Sequence, residues 1–220
     1  MIYEWRILKG LFHPNQSFYK LAKAEVIEGW RLRIFLLLLA SAVIFSLSGW
    51  VGIGSHVLSP TLLGESPIEY ESVKGLFVIG RFLFGLVYGG MILTLPALCF
   101  WLFSEDLYSK FVVIQSFILP ILLLEQVSFI ILAIGFDLPW YSSPLSLGVI
   151  GQYLFTYKYA IFLLGSISIF KVWVMVLQYR GIRTMTSLKR IPLFLIVLGV
   201  HLVSWCLSSA MAVINFVILL

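Results

Sequence analysis

The sequence predicts an all-α, polytopic membrane protein: a five-helix transmembrane bundle preceded by an N-terminal amphipathic helix. Three observations carry this. Hydrophobic residues make up 61% of the 220-residue chain and charged residues only 11%, whereas soluble domains run at about 45–50% and about 25%. Mean hydropathy is +1.04, more apolar surface than a water-soluble fold of this size can bury. Finally, the charges sit in short islands between five long apolar runs. A soluble globular domain, a disordered chain and a disulfide scaffold are all excluded. The net charge of +5 reflects islands beside apolar runs, which suit anionic lipid and orientation in a bilayer rather than nucleic acid.

Residues 1–33 form the first unit. Trp5, Leu8, Leu11 and Phe12 recur at helical spacing, and after His13-Pro14-Asn15 a second helix can carry Phe18, Leu21, Ala22 and Trp30 on roughly one face, with Lys20, Lys23 and Glu25 elsewhere. This pattern predicts an amphipathic helix lying on the inner leaflet. The alternative is a helix packed on the ends of the bundle. The preceding segment is too long and too patterned for a secretory leader, so none is expected.

Residues 34–220 form the second unit. A crossing helix needs about 20 mainly apolar residues, and the chain offers runs at about 34–53, 76–103, 111–136, 151–179 and 191–218. Open strands cannot satisfy their backbone groups in lipid, so helices are the economical reading, with kinks expected at Pro96 and Pro120. Lys and Arg number six in the N-terminal segment, one (Lys110) between the second and third runs, and four (Arg180, Arg183, Lys189, Arg190) between the fourth and fifth. The opposite loops hold only Lys74. The positive-inside rule therefore predicts a cell-membrane protein with a cytoplasmic N-terminus and an extracytoplasmic C-terminus. Trp140 and Tyr141, in the loop after the third run, read as interfacial anchors. Cys99 and Cys206 lie in apolar runs and show no metal or disulfide spacing.

Leu11-Phe12-His13-Pro14-Asn15-Gln16-Ser17-Phe18, the run from Phe170 through Trp173 to Gly181-Ile182, and Ser187-Leu188-Lys189-Arg190 occur in this order. Together they resemble the Ypt-interacting protein (YIP) family in its bacterial branch: a proline-then-phenylalanine entry helix, an apolar run ending in Gly, and a basic turn before the last span. The resemblance covers nearly the whole chain. It implies a non-enzymatic five-span membrane protein that works as an adaptor. Some bacterial relatives look like companions of ABC-type exporters, in assembly or in protection against toxic peptides. Eukaryotic members resemble partners of Rab-type GTPases, but the long cytoplasmic tail that serves such partners is not expected here.

Charges within a membrane are costly and mark functional candidates. Arg81, Glu125 and Lys158 fall at similar depth in the expected bundle, so Glu125 is expected to pair with Arg81 or Lys158. Such a pair either fixes helix register or lines a polar path. Lys171 is expected to snorkel toward the inner surface. The zinc-protease pattern His-Glu-x-x-His is absent, and no pair of aspartates lies within the runs. Ser166 and His201 fall near mid-depth, but Leu164-Gly165-Ser166-Ile167 lacks an oxyanion-forming setting. No catalytic residue, cofactor or metal is expected. Gly85-x-x-x-Gly89 predicts close helix approach, within the chain or against a partner, and Ala42-x-x-x-Ser46 and Ser204-x-x-x-Ser208-x-x-x-Ala212 are similar. Trp5, Phe12, Phe18, Lys20, Lys23, Arg180, Arg183, Lys189 and Arg190 are the candidates for contact with anionic inner-leaflet lipid or a cytoplasmic partner. Other integral membrane proteins, an ABC-type transporter among them, and a second copy of the chain are the expected partners. The alternative function is a small channel or permease built on the intramembrane Glu–cation pair.

Overall fold

The computed structural model describes residues 2–4, 10–11, 13–55 and 67–214. Trp5 and Phe12 lie outside these residues. Two short strands, β1 (Ile2–Glu4) and β2 (Val26–Glu28), pair in parallel, with Ile2 opposite Val26. The remaining described elements are helical: α1 (Pro14–Ala22), α2 (Trp30–Trp50), α3 (Pro67–Trp101), α4 (Tyr108–Phe136), α5 (Gly148–Leu154), α6 (Lys158–Gly165), α7 (Ile169–Met185) and α8 (Arg190–Val213), with one 3-10 turn at Trp140–Ser142.

α2, α3, α4 and α8 are long and apolar enough to cross a bilayer, and they make this a membrane protein. α2 begins after Gly29, whose φ of 68° is cheap only for glycine. α3 and α4 continue through Pro96 and Pro120. α4 is the axis of the bundle: Phe111, Val113, Ile114, Phe117, Leu119 and Ile121 are all fully buried. α2 and α3 lie together on one side of it, α7 on another, and α8 against α7.

Two expectations change. The amphipathic N-terminal helix, α1, does not lie free on a leaflet. It is wedged against α7 and α4 with Phe18 and Leu21 fully buried. The Phe18 ring stands edge-on to Phe117 at 5.8 Å. The seat exists because Gly181 has no side chain: a Cβ there would lie 3.3 Å from the tip of Phe18 and 3.1 Å from Ile114. Lys110 closes the end of α1 by donating to the Ala22 carbonyl at 2.8 Å and to Asp106 at 2.7 Å. Phe18 is thus a core residue, while Lys20 and Lys23 remain exposed.

The run expected as one span over 151–179 is instead divided among α5, α6 and α7. The longest piece, α7, has 17 residues. Hydropathy could not foresee the division, because a broken helix has the same composition as a continuous one. Ser168 caps α7, its hydroxyl accepting from the Lys171 N–H at 3.2 Å. The freed backbone is satisfied within the protein: Leu147 donates to the Ile167 carbonyl and Ile169 to the Leu145 carbonyl, both at 3.0 Å, around a Ser146–Ser168 bridge. Irregular backbone at membrane depth is tolerated only where it is covered in this way.

Candidate functional site

The apolar helices leave few places for polar side chains, and these converge on a seam between α4, α7 and α8. Gln178 of α7 stands at its centre. Its Nε2 donates to Gln115 Oε1 of α4 at 2.8 Å, and its Oε1 faces His201 Nε2 of α8 at 2.8 Å. All three side chains are buried. In this arrangement the Gln178 oxygen can only accept, so His201 carries its proton on Nε2. Gln115 Nε2 has no partner among the described residues. Reversing both amides moves the orphan to the Gln115 oxygen but does not remove it.

About 15 Å further along α4, Glu125 is 1% exposed and accepts from the Ser168 hydroxyl at the start of α7. Glu125 follows Gln115 by as many residues as Ser168 precedes Gln178. One antiparallel register therefore sets both contacts. Lys171, one turn into α7, lies within electrostatic reach of both Glu125 and His201, and Tyr88 of α3 lies within reach of Glu125. The carboxylate also faces the positive end of the α7 dipole. Beyond it, Ser166 and Ser209 hydroxyls meet at 3.5 Å, and Ser209 bonds the Trp205 carbonyl at 2.8 Å.

Glu125 forms no ion pair with Arg81 or Lys158 among the described residues. Arg81 belongs to the α2–α3 seam, where it donates to the Ser48 hydroxyl at 2.7 Å and lies over the rings of Phe45 and Phe84 at 5.4 and 5.7 Å. Lys158 is exposed at the start of α6. The break in the fourth run carries Lys158 away from α4 and puts Ser168 at the carboxylate, while Arg81 is held by Ser48 and the aromatic rings of the α2–α3 seam. Ser166 and His201 do not bond each other; their hydrogen bonds go to Ser209 and Gln178, so these two residues do not form a nucleophile–base pair.

Gly85 and Gly89 face α2. A Cβ on Gly85 would lie 2.7 Å from Ala42 Cα and 2.8 Å from the Ser41 carbonyl oxygen, and one on Gly89 would lie 3.0 Å from Leu38. The Ser41 hydroxyl donates to the Gly85 carbonyl at 2.7 Å. Arg180, Arg183, Lys189 and Arg190 are exposed around the α7–α8 turn. Sequence reasoning missed Gln115, Gln178 and Ser168. The available signal was an amide in an otherwise apolar run, and a Ser three residues before a Lys.

No family model, no curated protein and no solved structure matches the chain.

Proposed function

We propose that this chain is a non-enzymatic integral membrane adaptor of the YIP type, oriented with its N-terminus in the cytoplasm. One observation carries the reading. The polar side chains of the α4–α7–α8 seam are buried and bonded within the bundle, whereas Lys20, Arg180, Arg183, Lys189 and Arg190 are exposed with no partner among the described residues. A buried, internally bonded seam suits a scaffold better than a conduit. A basic rim suits anionic lipid and acidic segments of a partner. The YIP resemblance makes an ABC-type exporter the first partner to test. Crosslinking with mass spectrometry on gently solubilised membranes should recover one integral membrane partner reproducibly. Charge reversal at Arg180 and Arg183 should weaken that recovery. No reproducible partner would overturn the reading.

A second reading, a small permease, is favoured by the α6–α7 break at a buried carboxylate, since half-helix ends commonly face polar sites in transporters. Replacing Glu125 by Gln separates the two. Lower folding yield marks Glu125 as a structural group; normal yield with solute flux abolished in proteoliposomes marks it as part of a path.

A further inference from the structure

The α5–α6 hairpin is fixed at its base and open at its tip. A Cβ on Gly148 would lie 1.9 Å from the Tyr141 carbonyl oxygen, and one on Gly165 would lie 3.1 Å from the Tyr141 side chain. The base is therefore locked onto the 3-10 turn. At the other end, Tyr153 is 89% exposed, and Leu154, Phe155, Tyr157 and Lys158 are exposed with it.

The depth of the hairpin can be read along its neighbours. The end marked by Arg190, by the Lys110–Asp106 pair and by the Trp101–Tyr108 ring contact at 6.1 Å is one boundary of the bundle. From there, at about 1.5 Å per residue, Glu125 lies about 26 Å along α4, and it holds Ser168. Cys206 lies about 24 Å along α8, and its carbonyl accepts from Tyr159. Ser209 lies about 29 Å along α8 and meets Ser166. These three depths approach the roughly 30 Å thickness of the hydrocarbon layer. α6 gains only about 5 Å of depth over about 10 Å of its own length, so it runs closer to the membrane plane than to the normal. Phe162 joins Trp140 and Tyr141 in an aromatic cluster, with ring separations of 5.5 and 5.0 Å, at that same far boundary.

We propose that the α5–α6 hairpin is an in-plane anchor that seats Tyr153, Phe155, Tyr157 and Lys158 just beneath the glycerol esters of the leaflet opposite the Arg180–Arg190 loop, with the Tyr and Lys tips reaching the headgroups. The chemistry fits lipid. Tyr rings present an apolar body and a wet tip. Lys158 is the only charged residue between Asp137 and Lys171, placed to meet phosphate while its stem stays in the apolar layer. The last carbonyls of α5 have no partner within their helix and find donors in the headgroup layer and its water. The inference rests on the chain crossing a bilayer and is independent of the adaptor and permease readings.

The test uses the full chain carrying Cys99→Ser and Cys206→Ser, in nanodiscs of phosphatidylcholine and phosphatidylglycerol, with spin labels placed singly at Tyr153→Cys and Tyr157→Cys. Met91→Cys on lipid-facing α3 and Glu105→Cys in the α3–α4 loop serve as hydrocarbon and water references. Collision with oxygen and with a water-soluble nickel chelate should give both hairpin sites a depth between the two references. A nickel signal equal to that at position 105 would make the tip an aqueous loop. An oxygen signal equal to that at position 91 would put it in the hydrocarbon. Shielding from both reagents would mean a protein covers it. Each of these three results overturns the proposal. The unsubstituted chain provides a second measurement: a phospholipid with a diazirine near its glycerol should leave adducts within residues 153–158, and adducts confined to α3 and α8 would count against the anchor.

Discussion

At Gly85 the missing side chain decides a helix contact. A Cβ there meets the α2 backbone at Ala42 and Ser41, and backbone does not yield as a flexible side chain does. Gly85→Ala should therefore cost about 1–3 kcal/mol, the usual range for overpacking, seen as a lower midpoint of unfolding in mixed micelles. Gly80→Ala, on the same helix with nothing within 4 Å, should cost nothing. The polar seam makes a second prediction. Gln178→Leu removes both bonds of the Gln115–Gln178–His201 chain, whereas Gln115→Leu removes one and also deletes the orphaned amide end. Interhelical bonds in membranes are worth about 0.6 kcal/mol on average and about 1.7 at most. Gln178→Leu should thus lower stability by roughly 1–2 kcal/mol, and Gln115→Leu by clearly less. Equal losses would mean that the seam does not act as a chain. Residue identity flagged Gly85 in advance, because a glycine pair at helical spacing announces itself. Gln178 stayed silent, because its value depends on two partners remote in sequence.

The start of α7 is where an element's boundary creates a site. Ser168 both caps α7 and donates to Glu125, so Ser168→Ala should remove a cap worth about 1 kcal/mol and the one hydrogen bond that reaches the carboxylate from another element among the described residues. Faster amide exchange over the first turn of α7, with α8 unchanged, is the expected signature. Ser168→Thr should restore most of the protection. The four long helices were legible as elements because each needs only a sustained apolar run. Their ends fall within a few residues of the expected ones except at Pro67, where α3 begins well before the apolar stretch. The expected fourth span was not legible as three helices. The break is held by the 145–147 segment and by Glu125, neither of which lies within α7. α1 was legible as amphipathic, but the body covering its apolar face is the groove at Gly181 rather than lipid.

For the whole molecule, the four crossing helices leave α7 as the element that decides parity. It runs about 26 Å from its contact with Glu125 to the Arg180–Arg183 rim, and we propose that with the covered loop above it α7 completes a crossing, so that α8 ends on the side opposite the start of α2. A cysteine at Ile214 should react with a membrane-impermeant maleimide only from the face opposite one at Lys189. Labelling of both from the same face would show that α7 does not complete a crossing.

Composition and the spacing of apolar runs determined that this chain lives in a bilayer, that it is helical, and where its basic rim lies. These follow from transfer free energy, which each residue carries irrespective of its neighbours. The tertiary structure alone decided that Glu125 meets Ser168 rather than Arg81 or Lys158, that Gln115, Gln178 and His201 form one seam, and that residues 148–165 fold as a hairpin. A buried polar group takes whichever donor the packing brings within about 3 Å, and that distance is a property of the folded helices together.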